Sequence, residues 1–177
     1  MSENLIFAQT VEGLLRALGP LNEQDRGALK GLGLDVDKRL LPAYPLEQFI
    51  SFLDFAGERL APGATQLERA AVVGRRFMDG YQQTMVGRAM VAALRVIGPW
   101  RTLERLSNKF RTGNNFSQTT LTRLGPTEAE FWVNLTARPG WYVGLVGRGL
   151  ELAGAKEVVV TLISGDDAGA RYNVRWR

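Results

Sequence analysis

The chain of 177 residues contains neither cysteine nor histidine. Without cysteine there can be no disulfide, thiolate-bound metal, iron–sulfur cluster or cysteine nucleophile. Without histidine there is no Ser-His-Asp triad, no imidazole base and no His-ligated metal or haem. The acid–base groups left are Asp, Glu, Lys and Tyr, and none stands in a recognisable catalytic spacing. Long apolar runs are also missing, since none approaches the roughly 20 residues that span a bilayer. The first residues, MSENLIFAQT, lack the basic and apolar regions of a signal peptide, so a cytoplasmic protein is expected.

Apolar residues make up 45% and charged residues 23%, an ordinary globular balance that predicts a single domain over 1–177. A chain of this length buries roughly 70% of its unfolded surface, enough for a core without staples. The net charge of +4 is modest and not gathered in a tail. Nucleic acid is therefore a disfavoured partner.

Periodicity divides the chain in two. Residues 1–110 read mainly as helices. Val11, Leu14, Leu15 and Leu18 form one apolar face, stopped by Gly19-Pro20. Asn22 suits the cap of a short helix to Leu32, and GLGLDVDKRLLPAYP reads as a connector. Pro45 suits the start of a third helix, and Thr65 and Glu68 match a capping box. Helical spacing then runs to Ile97, with a break expected near Gly80 or Gly87, and GPW at 98–100 restarts it. From Gly113 the period becomes 2. Two hairpins, with strands at 116–124, 129–135, 157–164 and 170–176, flank a helix from Pro139 to Gly154. The expected fold class is α+β, with helices first, then a ββαββ unit at 111–177 forming an antiparallel sheet with helices on one side.

Four sets of residues are candidates for function. Gly74, Gly80 and Gly87 serve close helix packing, or leave a hollow flanked by Phe77, Tyr81, Met85 and Met90. Gly144, Gly147 and Gly149 let their helix lie flat on the sheet, or make room for an apolar guest with Trp141 and Tyr142 at its mouth. Arg171 and Arg175 share one side of the last strand and, with Arg123, suggest a basic sheet face for a protein partner or a twin subunit. Lys109–Thr120, KFRTGNNFSQTT, follows a helix rather than preceding one, so it is no phosphate loop. Gly113 fits a left-handed helix cap, and Arg111, Asn114 and Asn115 are candidates to line a site at the helix–sheet junction.

With these elements placed, four segments become recognisable: FAQTVEGLLRALG, LLPAYP, GRRFMDGYQQTMVGRAM and FRTGNNFSQTTLTRLGP. In this order they resemble a paralogous family of myxobacteria that has no assigned function. The hairpin, the helix PGWYVGLVGRGLELAGA and the second hairpin are together similar to a fold with three known kinds of member: haem-NO/O2-binding sensors, 4-vinyl-reductase ligand domains and TRAPP transport subunits. That resemblance implies a haem, a small hydrophobic molecule or an acyl chain held between helices and sheet, and often a dimer. Haem-binding members use an axial histidine, which this chain lacks, leaving only Tyr or Met. The expectation is a non-catalytic signalling or ligand-sensing module, dimeric, without metal or cofactor. Its small apolar guest would lie at Phe77, Gly80, Tyr81, Met85, Gly87, Trp141 and Gly144. The alternative is a scaffold with a filled core that binds a partner through the basic sheet face.

Overall fold

The computed structural model describes residues 3–82, 85–136, 138–166 and 168–177. Among them are six α-helices and six strands; the mainly helical first part and the C-terminal ββαββ unit are laid out as expected, and two short strands within the first part are additional. Helix α1 (Ala8–Leu18) buries Val11, Leu14, Ala17 and Leu18 and ends at Gly19, whose φ of 70° suits glycine. Helix α2 (Glu23–Gly31) begins at a capping box. The Asn22 side chain accepts from the Asp25 amide at 2.8 Å, and Asp25 accepts from the Asn22 amide at 3.1 Å. Helix α3 (Leu46–Leu60) turns Phe49, Phe52, Leu53 and Ala56 inward. The Thr65–Glu68 box opens helix α4 (Gln66–Gln82). Helix α5 is described over Met85–Lys109, and the residues between α4 and α5, which bear on the break expected near Gly80 or Gly87, lie outside the described ones. Gly98, with φ 80° and ψ 172°, kinks α5 at the Pro99 junction. The Thr102 hydroxyl donates to the Gly98 carbonyl there at 2.8 Å.

One pairing was not expected. Strand β1 (Leu5–Phe7) pairs antiparallel with β2 (Ala43–Pro45), within what reads as terminus and connector. Runs of three residues carry too little periodicity to announce a strand.

The C-terminal unit comprises β3 (Thr119–Gly125), β4 (Glu128–Asn134), α6 (Pro139–Leu152), β5 (Val159–Asp166) and β6 (Gly169–Arg175). The sheet order is β3-β4-β6-β5, antiparallel throughout. The two hairpins thus sit side by side, with β4 and β6 central. Ala129, Phe131 and Val133 join Ala170, Tyr172 and Val174 on the face toward α6, all buried. Two apolar clusters result. One lies among the N-terminal helices and α6, the other between α6 and the sheet, and Phe110 and Tyr142 pack against both. Among the described residues, no helix is long and apolar enough to cross a membrane.

Candidate functional site

A cavity of about 660 Å³ lies where the two clusters meet. Its walls come from β1, α1, α3, α4, α5 on both sides of the Gly98 kink, the loop after α5, and the residues leading into α6 with the start of that helix. The apolar lining includes Ile6, Phe49, Leu53, Phe77, Leu106, Phe110, Phe116, Trp141, Tyr142 and Leu145. Trp141 organises one wall. The Phe77 ring meets it edge-on with centroids 5.0 Å apart, and Phe49 does the same at 6.1 Å. Gly13 permits this arrangement, because a Cβ there would lie 2.3 Å from the Phe77 ring. On another wall Tyr142 stands perpendicular to Phe110, with centroids 5.2 Å apart.

Tyr142 remains neutral. Burial pushes its phenol up to about 12, with the nearby Ser117 hydroxyl acting weakly the other way. The other polar groups of the lining are Gln9, Thr10, Glu12, Arg16, Thr102, Arg105, Thr112, Asn114, Thr136 and Arg138. Arg16 is paired with Glu12 at 2.6 Å, and Arg138 grips Asp54 on α3 through two nitrogens.

Phe77 and Trp141, both expected at a guest site, line this cavity. Tyr142, placed at its mouth by the sequence, lines it too. Gly80 and Gly144 do not. Gly80 lies against α1, where a Cβ would come within 3.4 Å of the Arg16 Cβ. Gly144 presses onto α4, and a Cβ there would stand 1.9 Å from the Ala71 carbonyl oxygen. Gly140 and Gly74 repeat this geometry, against Leu67 and Trp141 respectively, so the α4–α6 crossing is a glycine contact with no room for a guest. Of the later glycines, only Gly147 faces the sheet, near Val160. The side chains of Tyr81, Met85 and Met90, and Gly87 with them, lie outside the described residues.

The junction residues knit the fold together. Asn114 accepts from the amides of Phe116 and Ser117, at 3.1 and 2.7 Å, and donates to the Phe110 carbonyl. Asn115 accepts from the Leu5 amide at 2.8 Å and donates to the Glu3 carbonyl at 2.9 Å. Only Asn114 of the two lines the cavity, and Arg111 is exposed and lines nothing. Gly113 is not left-handed as expected. It is there for close approach, since a Cβ would lie 2.5 Å from the Thr10 hydroxyl, which donates to the Gly113 carbonyl at 3.1 Å.

The expected basic sheet face is a mixed one. Register sets Glu128 opposite Arg175, and Glu130 is ion-paired with Arg171. Glu128 also accepts from Asn173 at 2.7 Å. Arg123 is on the other side, in register with the buried Ala129, and its guanidinium lies 4.7 Å from the Trp100 ring centroid. Neither β4's glutamates nor Arg123's facing can be read from the last strand alone.

The missed residues are mostly apolar: Ile6, Gly13, Phe49, Leu53, Leu106, Phe110 and Leu145. Phe49, Leu53, Leu106, Phe110 and Leu145 sit in helical apolar spacing that also serves as core, so spacing alone could not separate wall from filling, and Ile6 and Gly13 carry no periodic signal of their own. Arg105 reads as one of a series of solvated helix arginines, and only the packing shows it at the cavity. Among the described residues, no cluster of three Asp or Glu stands ready for a metal.

This architecture is the H-NOX fold. A mutant of T. tengcongensis H-NOX is similar with a TM-score of 0.62 and 13% identity, over 96% of each chain. An oxygen-binding H-NOX domain related to soluble guanylate cyclases gives 0.62 and 14%, over 96% of this chain and 94% of that one. A mutant H-NOX protein from K. algicida, in its Fe(II) unliganded form, gives 0.62 and 10%, over 95% of each. Residues 4–177 match DUF2378, a protein family of unknown function, and the chain belongs to that family. No curated protein matches the sequence.

Proposed function

We propose that this protein is a non-catalytic ligand-sensing module that holds a small apolar molecule in the cavity between its helices and sheet. The observation that carries the reading is the cavity itself. At about 660 Å³ it falls within the range of small-molecule sites, and like them it has apolar walls and a few placed polar groups. Its position, shared by two apolar clusters, lets occupancy influence both. A module of this kind would report its state to a protein partner or to a second copy of itself.

Haem does not fit the donors present. The H-NOX relatives include an oxygen-binding domain and an Fe(II) protein, but this chain has no histidine to hold iron. Among the described lining residues the remaining candidates are Met78 and Tyr142, and burial keeps the Tyr142 phenol protonated. The fold is that of the H-NOX domains, whereas the haem candidates among the described lining residues are only a thioether and a phenol.

Native mass spectrometry of gently purified protein tests the reading. A non-covalent adduct that denaturation releases as a small apolar molecule is the expected result. Repeated recovery of bare protein from unheated, detergent-free preparations would count against it.

A further inference from the structure

The charge on the cavity wall says more about the guest than its size does. Three arginines, Arg16, Arg105 and Arg138, line the cavity, against a single carboxylate, Glu12. Two of the three are already answered: Glu12 takes Arg16 at 2.6 Å, and Asp54 takes Arg138. Arg105 makes no hydrogen bond or ion pair among the described residues, and the neighbouring Glu104 is turned to the Trp100 indole at 3.1 Å. The position of Arg105 is set by α5. Below the Gly98 kink, Thr102, Arg105 and Leu106 fall on one side of the helix and reach the cavity together. Thr102 donates its hydroxyl to the Gly98 carbonyl, so of the two polar residues that α5 brings to the cavity, Arg105 is the one without a partner among the described residues.

We propose that the guest is an apolar molecule ending in a single anionic group, and that Arg105 binds that group. The inference rests on the cavity's being a guest site. An arginine fork suits a carboxylate, which it can hold by two parallel bonds. A neutral guest would leave the arginine merely hydrated, and a cationic one would meet an excess of positive wall. Arg105 is exposed on its other side, so the anion keeps some water and the gain is moderate, on the order of tenfold in affinity.

Calorimetric titration of delipidated protein with decanoate and with decan-1-ol, whose chain is the same length, separates charge from apolar fit. In the native sequence decanoate should bind about tenfold more tightly. Arg105→Gln should erase that difference and leave decan-1-ol unchanged, and Arg105→Lys should restore part of it. Because Arg105 is exposed and unpaired, neither variant should alter the circular dichroism spectrum. Equal affinity for the two compounds, or a preference that survives Arg105→Gln, overturns the anionic guest and leaves the cavity reading standing. Failure of both compounds to bind sinks the cavity reading and this inference together.

Discussion

Asn114 and Asn115 are neighbours of the same type, yet their chemistry differs with burial. Asn114 is nearly buried, and its side chain closes a turn by accepting two amides and donating to a carbonyl. Asn115 reaches outward to Glu3 and Leu5, where water can take its place. Leaving a buried donor unpaired costs about 1–3 kcal/mol, whereas an exposed one is rescued by solvent. Asn114→Ala is therefore expected to destabilise by about 2–3 kcal/mol and Asn115→Ala by about 1 kcal/mol, read from urea midpoints at constant slope. If these residues served an interface instead of the fold, both substitutions would leave the midpoint in place.

At the scale of elements, the contact between α4 and α6 decides where space exists. Gly74, Gly140 and Gly144 bring the two helices together at backbone distance, which turns the Trp141–Leu145 stretch of α6 toward the cavity. The neighbour that an added methyl would strike at Gly144 is the Ala71 carbonyl, which cannot rotate away. At Gly147 the nearest atom is the Val160 Cγ2, 3.6 Å off, an ordinary contact. Gly144→Ala should then cost about 3 kcal/mol or more, and Gly147→Ala should be neutral or stabilising by about 0.5 kcal/mol. Equal melting temperatures for the two variants would remove the close crossing from the account. This contact also shows what a sequence can and cannot reveal. The period of 2 announces the four strands of the sheet, and the Asn22 cap and the Thr65–Glu68 capping box announce where α2 and α4 start. A glycine in a helix, however, is compatible with a hollow or with another backbone, and the choice depends on which helix arrives opposite. That partner is fixed by contacts between residues far apart in the chain, as between Ala71 and Gly144. Phe77 and Trp141 could be picked out because they stand beside helical glycines in the sequence, although Trp141 also belongs to the core. Arg105 could not, because the kink at Gly98 sets its direction.

For the whole molecule, the cavity lies at the seam of two apolar clusters, so its filling bears on stability as well as on recognition. Phe110 and Tyr142 pack against both clusters, and Leu145, buried in the first, lines the space between. A truly close-packed interior resists added volume: extra methylenes there cost about 1–3 kcal/mol. A cavity of this size absorbs them, and the added ring gains contacts that the empty space denied it. Leu145→Phe discriminates between the two states. If the space is open in solution, the variant should melt at the same temperature as the parent or a few degrees above it. The larger side chain should also reduce decan-1-ol affinity, by about tenfold or more, because it occupies the volume the alkyl chain needs. A protein whose seam is closed would instead lose several degrees, since about 1 kcal/mol shifts the midpoint of a chain this long by roughly 2–4 °C. The same comparison separates a sensor from a scaffold with a filled core: in the first, stability and guest binding move in opposite directions on filling, whereas in the second there is no guest binding to lose and stability alone falls.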